Sequence, residues 1–391
     1  MASARVCDSM LPILASELGG SVSSVSQVIA SFALAYGLSQ LLYGPLGDRY
    51  GKLRVILFAC AAATIGAAAC AFSQSLTALT WARFLAGATA AGVIPLAIAW
   101  IGDSVPYAQR QAVMARFMAG TLTGLILGQI LGGIASDTVG WRGAFWIIAA
   151  IYALSATRIW MLRGLQKDFP PSSTAELGEA ALINATRESP KLNSTWWTLI
   201  LPSYGQVLRK PAACLVLPIV MAEGFLVISA IAFVPSFVHD RDAVSLSWAS
   251  LTVAGFGLGG LLYAWRSQAW LKHLGEAGFA KVGASLFGLG LCFMALVPGF
   301  AFALIGCFTA GIGFYMLHNT LQTLGSQVSP ESRGSAMSLF AFSLFVGQTL
   351  GISGAAWAMS HSGYLTIFLI SGLCTVGLGF ILAAGLPAHR R

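Results

Sequence analysis

Gly44-Pro45-Leu46-Gly47-Asp48-Arg49-Tyr50-Gly51-Lys52 lies between two long apolar runs, and more of the fold can be read from it than from any other stretch. One carboxylate and three cations (Arg49, Lys52 and Arg54) gather where the chain leaves one hydrophobic span for the next. Glycines at 44, 47 and 51 permit close helix approach and a tight reversal. A very short charged turn between two apolar runs is what a chain needs to leave a bilayer and re-enter it.

The 391 residues are 57% hydrophobic and 9% charged, with a mean hydropathy of +0.78. Soluble domains carry about 25% charged residues, so a water-soluble globule is excluded. About twelve apolar runs can be read, at 3–17, 24–46, 53–73, 76–100, 112–136, 142–162, 212–238, 246–265, 278–297, 300–324, 334–359 and 364–386. Most reach the roughly 20 residues that an α-helix needs to cross about 30 Å of hydrocarbon. The period-2 alternation of a membrane β-barrel is not seen. The expected fold is an all-α membrane protein of about twelve transmembrane helices.

The first run is the weak one, because Arg5, Asp8 and Glu17 interrupt it. Charge within the apolar part rules out a signal peptide. The run is either a short first helix sheltered by its neighbours or the remainder of one whose start lies upstream of Met1, and the second is preferred. Charge placement orients the rest. Even-numbered connections carry Arg49, Lys52, Arg54, Arg110, Arg163, Lys167, Arg209, Lys210, Arg266, Lys272 and Arg333, whereas odd-numbered ones carry only Arg142 and Arg241 among the cations. The positive-inside rule places the first set, both termini and the central loop in the cytoplasm, with a bacterial inner membrane as the expected location. The net charge of +8 is thus a topology and membrane-surface signal, with no nucleic-acid partner implied. Seven cysteines fall in or beside apolar runs without a CxxC pair, so they read as small packing residues.

Six runs precede a polar stretch near 163–210 and six follow it. That stretch contains Pro170-Pro171-Ser172-Ser173-Thr174, Glu176, Glu179, Arg187 and Lys191, then an aromatic, basic segment from Trp196 to Lys210 suited to the membrane surface. The expected organisation is a bundle over 1–162, a linker over 163–210 and a second bundle over 211–391. A repeat supports it: Gly128-Gln129-Ile130-Leu131-Gly132 in run five returns as Gly347-Gln348-Thr349-Leu350-Gly351 in run eleven, 347 − 128 = 219 residues later.

The opening stretch resembles the loop motif of the major facilitator superfamily: glycine, any, leucine, small, aspartate, arginine, any, glycine, basic. Gly44, Leu46, Asp48, Arg49, Gly51 and Lys52 fall in register; Leu53 stands where a second basic residue is usual, and Arg54 comes one place late. The resemblance implies two pseudo-symmetric six-helix bundles with a site between them at the midplane. It also implies a cytoplasmic gate formed by Gly44, Asp48, Arg49, Gly51 and Lys52, unless those charges merely fix topology. The second half is expected to carry Gly259-Gly260-Leu261-Leu262-Tyr263 at the equivalent place, without the charges.

Ionisable residues inside hydrocarbon are functional candidates by default. Asp8 is three residues after Arg5, on the same helix face, so it is either one half of a self-neutralising pair or a proton carrier. Arg83, in Arg83-Phe84-Leu85-Ala86-Gly87, resembles the fourth-helix motif of proton-coupled facilitators, where it would hold a carboxylate's charge; the alternative is snorkelling to the interface. Glu223 lies mid-run with no basic residue in its own run, and a carboxyl in that setting suits proton uptake and release. His318, Asn319 and Gln322 form a polar stripe in run ten, either cavity-facing or a seam between helices. Asp8, Arg83, Glu223 and His318 are the proton-coupling candidates; Gln129, Asn319, Gln322 and Gln348 are the substrate-cavity candidates.

Run five carries Gly120, Gly124, Gly128, Gly132 and Gly133. This ladder resembles the antiporter motif of the drug:proton branch, with Gln129 replacing its usual proline. Trp141-Arg142-Gly143 is similar to the start of helix six there. The resulting expectation is a secondary active transporter exporting a small organic solute or drug against protons, working as a monomer in the lipid bilayer. Its rivals are an uptake symporter or uniporter of the same fold and a non-transporting membrane sensor. An enzyme is not expected, since no HExxH, GxSxG or Cys-His grouping occurs. No cofactor and no metal are expected either.

Overall fold

The computed structural model describes residues 1–165, 197–329 and 332–386, and among these the secondary structure is helical with no strand. The first helix, α1, is two short pieces, Ala2–Arg5 and Leu11–Leu18, joined by a tight non-helical stretch. Next come α2 (Val22–Val25, then Gln27–Tyr50), α3 (Lys52–Phe72), α4 (Leu76–Ala90, then Val93–Ser104), α5 (Tyr107–Asp137) and α6 (Trp141–Leu165). A linker helix, Trp197–Leu208, precedes α7, whose pieces Pro211–Glu223 and Ser229–Asp242 flank a π-helical turn at Gly224–Ile228. The continuous stretch Leu246–Leu296 is two helices, α8 (246–274) and α9 (276–296), divided at Gly275, where φ is +65°. Then follow α10 (Phe300–Gln327) and a second double stretch, Arg333–Gly385, divided at Gly363 (φ +75°) into α11 (333–362) and α12 (364–385). A backbone in that left-handed region favours glycine.

Nine described helical spans are long and apolar enough to cross a membrane, and two of them are the double stretches. That makes eleven crossings, with the broken α1 as the twelfth. The helix bounds follow the apolar runs, with polar and glycine punctuation at their ends. Ser21 and Ser24 form a capping box at the start of α2, and Ser75 and Ser245 accept hydrogen bonds from the first turns of α4 and α8. Much of the linker, residues 166–196, lies outside the described residues, including Pro170, Glu176, Glu179, Arg187, Lys191 and Trp196.

Two expectations need correction. Gly44 to Tyr50 do not form a turn: they continue α2 to its end, and the reversal is made at Gly51 alone (φ +86°). Pro45 is tolerated inside that helix because neighbouring groups in a bundle can satisfy the freed carbonyl. The second-half counterpart of the loop motif is also not Gly259–Tyr263. In the first half an added Cβ on Gly87 would overlap the Phe32 carbonyl, and in the second an added Cβ on Gly311 would overlap the Phe256 carbonyl. Both differences are 224 (311 − 87 and 256 − 32). Gly66 packs on Ala86 as Gly290 packs on Ala310, again 224 apart (290 − 66 and 310 − 86). The same offset carries Gly51 onto Gly275, so Asp48, Arg49 and Lys52 correspond to Lys272, His273 and Glu276. Charges are present there after all, with the signs at two positions reversed.

The glycine repeat is equally physical. Gly128 and Gly132 of α5 press on Ala2 and Val6 of α1, and Gly347 and Gly351 of α11 press on Met221 and Phe225 of α7. All four pairs differ by 219 (347 − 128, 351 − 132, 221 − 2, 225 − 6). The two halves meet through α2 against α11 and α5 against α8. Ser23 Oγ donates to Ala356 O at 2.8 Å, Tyr36 and Phe345 have ring centroids 4.5 Å apart, and Ser247 N–H donates to Asp137 at 2.7 Å. The two hydrogen bonds lie at the end of the bundle opposite Lys52, Arg110, Arg266 and Arg333, called here the far end and the basic end.

Gly311→Ala is expected to lower stability by about 1–3 kcal/mol, because the new methyl group must displace a neighbouring backbone. Gly120→Ala, with nothing within 4 Å of an added Cβ, is expected to be neutral or stabilising by up to about 1 kcal/mol through helix propensity. Thermal unfolding of the two variants in detergent checks the contrast.

Candidate functional site

Two clusters of buried charge sit at the breaks in α1 and α7. In the first, Arg5 Nη1 donates to Asp8 Oδ2 at 3.1 Å, and Gln129 Nε2 of α5 donates to the same oxygen at 2.8 Å. Ser9 Oγ donates to Gln129 O at 3.0 Å. Asp8 is wholly buried, and its other oxygen has no partner among the described residues. The break is stabilised from α4. Arg83 Nη1 donates to Ser3 O at 2.8 Å and Nε to Val28 O at 3.4 Å, while the guanidinium lies 4.1 Å from the centroid of the Phe32 ring. Carbonyls freed by irregular backbone must find donors inside a membrane, and Arg83 is such a donor, fully buried. Snorkelling to the interface is thereby excluded.

The second cluster is simpler. His318 Nδ1 of α10 lies 2.9 Å from Glu223 Oε2 of α7, with the Glu223 side chain fully buried and that of His318 16% exposed. The imidazole stacks on Phe314 at 5.1 Å between centroids and meets Phe340 edge-on. Glu223 Oε1 has no partner among the described residues. Glu223 is the last residue before the π-helical turn, a distortion frequent at functional sites. The basic residue missing from its own run is thus supplied by another.

The remaining candidates separate. Asn319 is half-buried and is a hydrogen-bond partner of Tyr263, whereas Gln322 is exposed. Gln129 and Gln348 are 1% and 5% exposed, so neither faces open space, and Gln129 belongs with Asp8. In the loop motif Lys52 pairs with Asp103 at 2.5 Å, side chains 23% and 62% exposed. That pair joins α3 to α4 within one half, and as a surface pair it is worth about 0–1 kcal/mol. Arg49 lies over Tyr50 at 5.3 Å, and Gly44 has nothing near an added Cβ.

Sequence reasoning missed the far end. Asp137 Oδ2 accepts from both the backbone N–H and the hydroxyl of Ser247, at 2.7 and 2.5 Å. Glu17 accepts from Trp141 Nε1 at 2.7 Å and from Arg142 at 3.1 Å. Asp137 and Glu17 were read only as charges in odd-numbered connections, and spacing offers no signal for partners 110 or 125 residues away.

Two halves built on one repeat, with paired ionisable groups buried in each, define a secondary transporter of the two-bundle type. A family model described as Major Facilitator Superfamily matches residues 2–352. The chain belongs to that superfamily, whose members are multi-pass membrane transporters of small molecules rather than enzymes. It is 24% identical over 379 residues to the uncharacterized MFS-type transporter YwfA of Bacillus subtilis (strain 168), covering 97% of this chain and 87% of that protein. It spans about half, 46%, of an uncharacterized MFS-type transporter of Mycobacterium tuberculosis, at 25% identity over 95% of this chain. With the multidrug export protein EmrB of Escherichia coli (strain K12) it shares 32% identity over 174 residues, 44% of this chain and 34% of that protein. The crystal structure of the nucleoside transporter NupG has the same fold, with a TM-score of 0.71 at 16% identity, covering 98% of this chain and 96% of that one.

Arg83→Leu is expected to leave two buried carbonyls without their donor, at about 1–3 kcal/mol each. Arg83→Lys should recover only part of the loss, because an ammonium lacks the planar fork. Unfolding midpoints of the two variants check the order.

Proposed function

We propose that the chain is a proton-coupled exporter of a small organic solute or drug, of the drug:proton antiporter branch. The observation that carries this reading is the Glu223–His318 contact, a buried carboxyl and an imidazole at hydrogen-bond distance between two helices of one half. Such a pair can hold one proton between them and release it when the helices part.

Asp8 and Glu223 are unequal partners in this scheme. Asp8 faces a permanent cation, Arg5, and an amide donor, with buried Arg83 holding the backbone just before it. Glu223 faces a group that can itself lose its proton. Glu223 with His318 is therefore assigned proton uptake and release, and Asp8 with Gln129 is assigned the link between α1 and α5. Asn319, Gln322 and Gln348 remain the candidates for contact with substrate when the halves move. Alternating access is supported by where the halves are bonded, at the far end. By the positive-inside rule the basic end is cytoplasmic, so this arrangement is closed to the outside. Gly44, Asp48, Arg49, Gly51 and Lys52 form the cytoplasmic gate element at the α2–α3 turn. The bundles are taken as 1–162 and 211–391 about a linker at 163–210, in a single chain in a bacterial inner membrane.

In inverted vesicles an acid-interior gradient is expected to drive substrate accumulation. Stimulation by the opposite gradient instead would make the protein an uptake symporter. Coupling free energies of about 1–3 kcal/mol correspond to 5–150-fold effects, so Asp8→Asn and Glu223→Gln should each lower gradient stimulation by that order. Full coupling in both variants would remove these residues from the mechanism.

A further inference from the structure

The basic residue that follows Lys52 in the superfamily pattern comes one place late in this chain, as Arg54 after Leu53. One residue along an α-helix turns a side chain by about 100°, and the effect is visible. Leu53 packs inward beside Ile56, Cys60 and Leu96, while Arg54 is exposed on another face of α3. There it lines a cavity of about 490 Å³ between α2 and α3, with Tyr43, Leu46 and Tyr50 on one wall and Arg54, Phe58 and Ala62 on the other.

The cavity is an apolar groove with a cation at one end. Phe58 is 70% exposed and Tyr50 is 52% exposed, so it opens on the outer surface of the bundle, where lipid meets the protein. Its floor is fixed: Tyr43 packs on Gly92, and its hydroxyl donates to Ala88 O at 3.0 Å or Thr89 O at 3.1 Å. Lys52 is held by Asp103, whereas Arg54 has no hydrogen bond or ion pair among the described residues. Arg49 adds a second positive charge beside Tyr50. A guanidinium without a counter-ion at the mouth of an apolar groove matches a phosphate carrying an acyl chain. Basic pockets between membrane helices recognise anionic headgroups by this chemistry.

We propose that the α2–α3 groove is a binding site for an anionic phospholipid, with one acyl chain lying between the two helices and the phosphate on Arg54. Neither the direction of transport nor its coupling enters.

Native mass spectrometry tests this on the full chain, delipidated in detergent and given equal amounts of dioleoyl-phosphatidylglycerol and dioleoyl-phosphatidylcholine. The wild type is expected to retain the anionic lipid about fivefold over the zwitterionic one, the ratio given by about 1 kcal/mol for one cation near an anionic headgroup. Arg54→Gln should bring the ratio to about one, and Ala62→Trp, which fills the groove, should lower retention of both lipids. Arg266→Gln, also at the basic end but outside the groove, should leave the ratio unchanged. Equal retention by the wild type, an undiminished ratio in Arg54→Gln, or the same loss in Arg266→Gln overturns the site. So does lipid retention that ignores Ala62→Trp, or a lipid-free dimer lost in that variant, which would identify a second copy as the occupant.

Discussion

Helices in this protein are held together where a glycine lets one backbone touch the carbonyl of another. Lipid is as apolar as leucine, so burial of side chains gives little drive for helices to associate; close van der Waals contact must supply it. Gly87 on Phe32 and Gly311 on Phe256 do this for α4 with α2 and for α10 with α8. Gly132 on Val6 and Gly351 on Phe225 do it for α5 with α1 and for α11 with α7. The last two contacts fall at the breaks in α1 and α7, where the helical ladder is already irregular. The packing therefore fixes where the backbone is distorted, and the distortions fix where Asp8 and Glu223 stand.

The skeleton is duplicated, but the charges are not. By the offsets that superpose the packing contacts, Arg83 corresponds to Cys307, His318 to Ile94, Asp8 to Val227 and Glu223 to Ala4. One half holds two cations around one carboxylate, and the other holds a carboxyl and an imidazole. Even at the basic-end turns, where both halves carry charge, Asp48 and Lys52 are answered by Lys272 and Glu276. Two equal frames can thus approach and separate symmetrically while only some of their groups exchange a proton.

The helix count, the two halves and the family were legible in the sequence because they rest on long apolar runs, a nine-residue motif and a glycine repeat. The true extent of the repeat was not, because a glycine against a carbonyl leaves no side-chain signature on the carbonyl's side. Phe32 and Phe256 look like any other core residues. Gln129 was visible as a departure from the antiporter motif, but its reason, a hydrogen bond to Asp8, lies 121 residues away. The Glu223–His318 pair was hidden for the same cause, since each residue is unremarked within its own helix. The loop motif misled in the opposite direction. Glycine and proline normally signal a turn, yet Gly44, Pro45 and Gly47 remain helical in the packed bundle.

Asp137 makes the seam between the halves unusual at the far end. Its carboxylate caps the first turn of α8 from across the interface, alongside the cap that Ser245 provides from within its own chain segment. That helix end therefore belongs partly to each half. When the halves part there, water has to solvate both a released carboxylate and an exposed helix start. Opening at the far end is then a local remodelling of helix ends as well as the swing of two rigid blocks, and its ease is set by the solvent on that side of the membrane alone.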